Sequence, residues 1–228
     1  MSTLLTTEGK VSSGFLIDCS SMPDLFAPRE VEEFKPPPTG IDNLGITSTD
    51  SFYLPSLGKP LEVCFNGYVR VARSRPSAET WTDAEVYTNL IEMRMVGTHP
   101  QIGNIIVTLN PEYLSAGQLR TPFEDLDKAQ PEKACRMAVG AMFSLPALGK
   151  VLFNKEPIEL TIDNVRAIPP AGNPGVGRIY RSLPLYDVDD PTGPVAAYLT
   201  ALNFAMGTYL TKEELEQLRQ AGTSVGHS

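Results

Sequence analysis

The sequence predicts a mainly β protein: an antiparallel β-sandwich or sandwich-like barrel with two related halves and one C-terminal helix. Three observations predict it. The octet Phe52-Tyr53-Leu54-Pro55-Ser56-Leu57-Gly58-Lys59 returns 91 residues later as Phe143-Ser144-Leu145-Pro146-Ala147-Leu148-Gly149-Lys150, with six of eight positions identical. The 20 Pro and 18 Gly cut the 228 residues into short segments, a spacing that suits strands and turns better than helices. Between the cuts lie runs rich in Val, Ile and aromatic residues that alternate with polar ones, the period of a strand with one buried face.

The octet reads as strand, corner, strand. Pro has no N–H to give a ladder, so Leu-Pro ends a strand or marks a sheet edge. Gly three residues on accepts a positive φ and lets the chain reverse. A spacing of about 90 residues exceeds most solenoid periods, so two halves sharing one core is the architecture it implies. After the first copy, Asn66-Gly67 fits a hairpin turn. Val63, Phe65, Val69 and Val71 keep one parity across it, which fits a single long strand with a bulge at Gly67. Both readings stand.

Residues 1–45 read as an N-terminal arm. Pro28 to Phe34 suits a helical turn, and Lys35-Pro36-Pro37-Pro38 suits a stiff extended tether. A single β domain is expected over 46–210, with half-repeats at about 46–109 and 134–210 and a connector at 110–133. Within it, 46–54 leads into the first octet, and 61–73 is rich in Val and aromatic residues. Residues 82–96 carry Tyr87, Ile91, Met93 and Met95 on one parity and read as a strand. Residues 102–109 form a buried strand that Asn110-Pro111 ends. The connector has little periodicity and contains Pro111, Gly117, Pro122 and Pro131. Residues 134–145 lead into the second octet and 158–165 form a strand. Residues 168–177 hold Pro and Gly too densely for a ladder. Residues 178–186 resume strand character, and the apolar run from Val195 to Leu210 reads as a central strand covered on both faces. Thr211-Lys212-Glu213-Glu214 is a capping box opening a helix over 211–222, and 223–228 read as a disordered tail.

Composition narrows the function classes. Hydrophobic residues make up 42% and mean hydropathy is −0.11, values of a globular chain. The net charge is −8 and Lys and Arg are scattered, which disfavours nucleic acid and anionic membrane surfaces as partners. Cys19, Cys64 and Cys135 are odd in number and dispersed, so neither a disulfide framework nor a zinc site is expected. No apolar run reaches membrane-spanning length and no secretory leader is visible, so a cytoplasmic, acidic protein is the expectation.

Catalytic signatures are sparse. His227 falls in the tail and His99 in a Gly-Thr-His-Pro turn, which leaves no histidine-based triad to assemble. Gly172 to Gly177 is Gly-rich but opens no helix, so it is no phosphate loop. Asp187, Asp189 and Asp190 put three carboxylates within four residues and suit calcium, against the plainer alternative of a solvated Asp-rich turn. Tyr68, Arg70, Tyr87, Asn89, Arg94 and Asn203 sit on expected strands. They are either the ordinary polar face of a half-buried sheet or the lining of a pocket for a mostly apolar small molecule. Glu92 and Glu62 are the strand-borne carboxylates for general acid–base work in such a pocket.

Three functions follow. The first is a non-catalytic binding or assembly module, with homo-oligomer formation through the N-terminal arm. The second is a cofactor-free isomerase or cyclase acting on an apolar small molecule in a β-lined cavity. That reading expects a cavity of ligand size and a carboxyl of raised pKa within it. The third is a calcium-dependent carbohydrate-binding module, for which Trp81 is the one Trp available as a platform.

Overall fold

In a computed structural model, the structure describes residues 36, 38–79, 83–120, 133–165, 176–179 and 181–223. The expected helical turn at 28–34, Cys19, Trp81, the Pro/Gly run at 168–175 and His227 lie outside them. The described chain forms twelve strands in one antiparallel sheet: β1 Gly40–Leu54, β2 Lys59–Arg73, β3 Val86–His99, β4 Gly103–Leu109, β5 Ala116–Arg120, β6 Lys133–Val139, β7 Ala141–Leu145, β8 Lys150–Asn154, β9 Ile158–Val165, β10 Val176–Arg178, β11 Leu183–Asp187 and β12 Ala197–Tyr209. Helix α1, Lys212–Thr223, follows.

The pairing closes this sheet on itself. β1 pairs β2 on one side and β12 on the other, and β2 pairs β3. Long β3 then pairs β4 over Arg94–His99 and β5 over Val86–Asn89. β12 likewise pairs β11 over Ala197–Leu199 and β10 over Asn203–Ala205. Between them β4 pairs β7 and β7 pairs β8, which meets β11; β5 pairs β6 and β6 pairs β9, beside which β10 lies. Each of β4–β5, β6–β7, β8–β9 and β10–β11 is therefore one leg broken midway. With β1, β2, β3 and β12 they make an up-and-down barrel of eight legs. Closure gives each of the four long strands a partner on both sides, which reduces the hazard of an open sheet.

The breaks are held by named groups. Gly140 divides β6 from β7, and a Cβ there would lie 2.4 Å from Tyr113 Cβ, in the break of the neighbouring leg. Asn110 N–H donates to the Gly140 carbonyl (2.9 Å), and Gly140 N–H donates to Ser115 Oγ (3.0 Å). Buried Asn154 ends β8. It accepts from Ala141 N–H at 2.7 Å and donates to the carbonyls of Val139 and Glu156. These bonds satisfy backbone groups that a broken ladder would leave unpaired inside the wall.

The two octets form matching corners at one end. Leu54 pairs Lys59 and Leu145 pairs Lys150, so each loop has the same length and register. Gly58 (φ 65°) and Gly149 (φ 60°) both take the left-handed conformation. The corners stand four legs apart, where equivalent halves of an eight-legged meander would place them. Phe52 and Phe143, the leading residues of the octets, meet edge to face across the interior with centroids 5.6 Å apart.

Several sequence expectations are corrected. The first barrel strand begins at Gly40 rather than at 46, because β1 pairs with β2 from Gly40 on and with β12 from Leu44 on. β2 runs unbroken through Asn66-Gly67, and its bulge falls on β3 at Ile91, between the pairs Arg70↔Glu92 and Val71↔Leu90. The connector 110–133 contains the break at 110–115 and the strand β5, and 121–132 lie outside the described residues. β12 has one face in the core, while its other face is half-exposed, so it is not covered on both sides. Alanines on its outer face made it look doubly buried.

Candidate functional site

The barrel interior is the candidate site. Along β1 the inward positions are Asp42, Leu44, Ile46, Ser48, Asp50, Phe52 and Leu54, all buried. Aliphatic, aromatic and Met side chains from the other legs complete one apolar core, with Met93, Met95, Met137 and Met206 among them. Small cavities lie within it. One, about 10 Å³, lies at the end of the short corners, among Phe52, Ile102, Phe143, Leu152 and Leu185. Another, about 40 Å³, lies towards the opposite end, among Asp42, Thr88, Leu119, Cys135, Ile162 and Met206. Both are far below the roughly 300–1,000 Å³ of ligand pockets. Neither is the enclosed cavity of ligand size expected from the sequence, because side chains fill the interior around them.

Polar groups enter this core at two places. At the second cavity, Arg73 forms a fork with Asp42, donating from Nη2 to Oδ1 at 2.9 Å and from Nε to Oδ2; its Nη1 reaches the Pro38 carbonyl. The pair is buried but mutually neutralised, the condition under which charges survive in a core. Burial and the neighbouring Asp42 push the Tyr209 hydroxyl up to about 12. The Cys135 thiol, buried, is also pushed up to about 12 and is therefore no nucleophile. Lys133 closes this end by donating to the Ala84 carbonyl at 2.6 Å.

The second place is Asp50. It is fully buried on the inner face of β1, opposite Val63 of β2 and Leu202 of β12. Its Oδ2 has no hydrogen-bond partner, and its Oδ1 touches Ser48 Oγ, which also reaches the Asn203 backbone carbonyl at 3.0 Å. Burial raises the carboxyl to about 7, against a smaller lowering by Ser48. Sequence reasoning passed over Asp50 because Thr47-Ser48-Thr49-Asp50-Ser51 is polar at every position. Its alternation is visible only once Phe52 and Leu54 are known to point inward.

The residues singled out from the sequence lie elsewhere. Tyr87, Asn89 and Arg94 alternate with inward Val86, Thr88, Leu90, Met93 and Met95, and so face outward; Asn203 is exposed. Tyr68, Arg70 and Glu92 do come together, on the outer wall beneath α1. Tyr68 donates to Glu92 Oε1 at 2.6 Å, Arg70 Nη1 to Oε2 at 3.0 Å and Arg219 Nε to Oε1 at 3.0 Å. Arg219 leads the interactions that hold the Glu92 carboxyl down at about 2. A carboxylate so saturated fastens the helix to the wall. Glu62 is exposed on β2.

Asp187, Asp189 and Asp190 lie in the turn after β11. Lys150, the last residue of the second octet, donates to Asp187 Oδ2 at 2.7 Å and holds its carboxyl below the usual range, while Asp189 N–H donates to Oδ1. Among the described residues, no group of three or more His, Cys, Asp and Glu is arranged to hold a metal ion, and no helix is long and apolar enough to cross a membrane.

Comparison with known proteins bears on this barrel. Residues 2–216 match a family described as a family of unknown function, DUF6073. The chain belongs to that family. No curated protein matches it. Among solved structures it is similar to DynF from the dynemicin biosynthesis pathway of Micromonospora chersina. The two are 57% identical, the likeness covers 82% of this chain and 89% of that one, and the TM-score is 0.76. The DUF6073 description assigns no activity, so the site's chemistry must be argued from the barrel itself.

Proposed function

We propose that the protein is a non-catalytic β-barrel that binds a mostly apolar small molecule in its interior. The observation that carries this is the apolar inner face, continuous from the Phe52–Phe143 end to Met206 and interrupted by few polar groups. The similarity to DynF supports a place in the biosynthesis of a small molecule, where a reactive apolar intermediate gains from being held out of water. The cavities are small, so a ligand enters by displacing side chains. Four buried methionines fit such displacement, since an unbranched thioether repacks around different shapes at low cost.

The reading is tested with the neutral fluorophore N-phenyl-naphthylamine and protein labelled at methionine methyls. Bound dye should shift the NMR signals of inward Met93, Met95, Met137 and Met206 and leave outward Met142 unmoved. Dye that fails to bind, or that moves Met142 alone, would overturn it.

A second reading is a cofactor-free isomerase or cyclase working in the same interior. Asp50 favours it, because a carboxyl titrating near 7 matches general acid–base work at neutral pH.

A further inference from the structure

We propose that Asp50 is held as a neutral carboxylic acid and anchors the hydroxyl group of an otherwise apolar ligand. This rests on the reading of the barrel as a binding protein and names the chemical class of what it binds. The argument begins with protons. Ser48 has one hydroxyl hydrogen and touches two oxygens, Asp50 Oδ1 and the Asn203 carbonyl. The hydroxyl turns freely about its Cβ–Oγ bond, and the longer, 3.0 Å contact is to a backbone carbonyl that only accepts, so the proton is assigned to Asn203. The Ser48–Asp50 contact then needs a proton of its own, which an ionised carboxylate lacks. With the acid proton on Oδ1 the chain runs Asp50 to Ser48 to Asn203 and every contact has its hydrogen.

The remaining oxygen, Oδ2, is then a carbonyl-type acceptor. It is buried and has no partner, a state that is costly when left unfilled. The positions that face it across the ladder are the apolar Val63 and Leu202, and the next inward residue on β1 is Phe52. Along β1, Asp50 stands between Leu44, which lines the larger cavity, and Phe52, which lines the smaller. Asp50 itself lines neither cavity, and a molecule that joined the two by displacing side chains would run along β1 past Oδ2. An alcohol, enol or phenol would complete it. A pure hydrocarbon would leave the oxygen bare.

The test compares 2-naphthol with 2-methoxynaphthalene, which lacks the donor, on the full chain. The wild type should bind the naphthol about tenfold more tightly, the worth of one hydrogen bond. Asp50→Asn should keep that preference, because its amide N–H replaces the acid proton and its oxygen still accepts. Asp50→Leu should lose the preference and bind the two probes alike. Equal binding of both probes by the wild type, or a preference that survives in Asp50→Leu, overturns the anchor and leaves the barrel reading standing. Failure of both probes to bind overturns the barrel reading and the anchor with it. Infrared spectroscopy gives a ligand-free check: a protonated-carboxyl stretch at pH 6, absent from Asp50→Asn, is expected, and its absence from the wild type overturns the neutral acid.

Discussion

At the scale of single residues, Asp50 has the largest consequence. A carboxyl raised to about 7 in the folded barrel keeps its proton over a range where the unfolded chain has lost it. Folding then takes up a proton, and stability must fall as pH rises from about 4 to 7, levelling off above. The full span is on the order of 4 kcal/mol. Urea titrations of Asp50→Asn should show that slope removed, with the variant gaining most on the wild type near neutral pH. An unchanged slope would mean that Asp50 ionises at its ordinary range. The octet glycines act at the same scale in a different way. Gly58 and Gly149 have nothing within 4 Å of a notional Cβ, so their positive φ alone selects glycine.

Among the elements, α1 is the one α-helix of the described chain, and it packs on the outer wall over Tyr68. Its start follows from local chemistry: Glu214 N–H donates to Thr211 Oγ1 at 3.2 Å, and Thr211 N–H donates to Glu214 Oε2 at 2.7 Å. Leu210 and Leu215 then cover Tyr68, and Arg219 reaches Glu92. Because the Glu92 carboxyl is depressed to about 2, its contribution is complete above the ordinary carboxylate range and is lost as pH falls through that range towards 2. Limited proteolysis should therefore release α1 on acidification while the barrel stays intact. Arg219→Ala should release it already at neutral pH. A helix equally protected in both proteins at pH 7 would show that the leucines alone hold it.

For the whole molecule, closure is the decisive property. Four legs are continuous and four are broken, and three of the broken ones are pinned by Gly140, Ser115 and Asn154 where the wall bends. The matched corners bring Phe52 and Phe143 together across the core. Replacing either by Ala should cost about 3–5 kcal/mol. The double variant should cost less than the sum by about 0.5–1.5 kcal/mol, the coupling of an edge-to-face pair. Strict additivity in denaturant titrations would show that the two corners do not support one another.

The sequence by itself determined the fold class, the two corners and the C-terminal helix, because each rests on local chemistry: Leu-Pro before a glycine of positive φ, alternation along β2 and β4, and a reciprocal cap at Thr211. It did not reveal which polar strand residues face inward. Tyr68, Arg70 and Glu92 read as pocket residues until α1 was seen to cover them from outside, while Asp50 was hidden in an unbroken polar run. Side-chain direction in a strand is fixed by a period of two, but its phase is set by which face the closed barrel buries. That choice is made by partners distant along the chain, β12 for Asp50 and α1 for Glu92. Only the tertiary structure could therefore separate a buried acid in an apolar core from carboxylates on the outer wall.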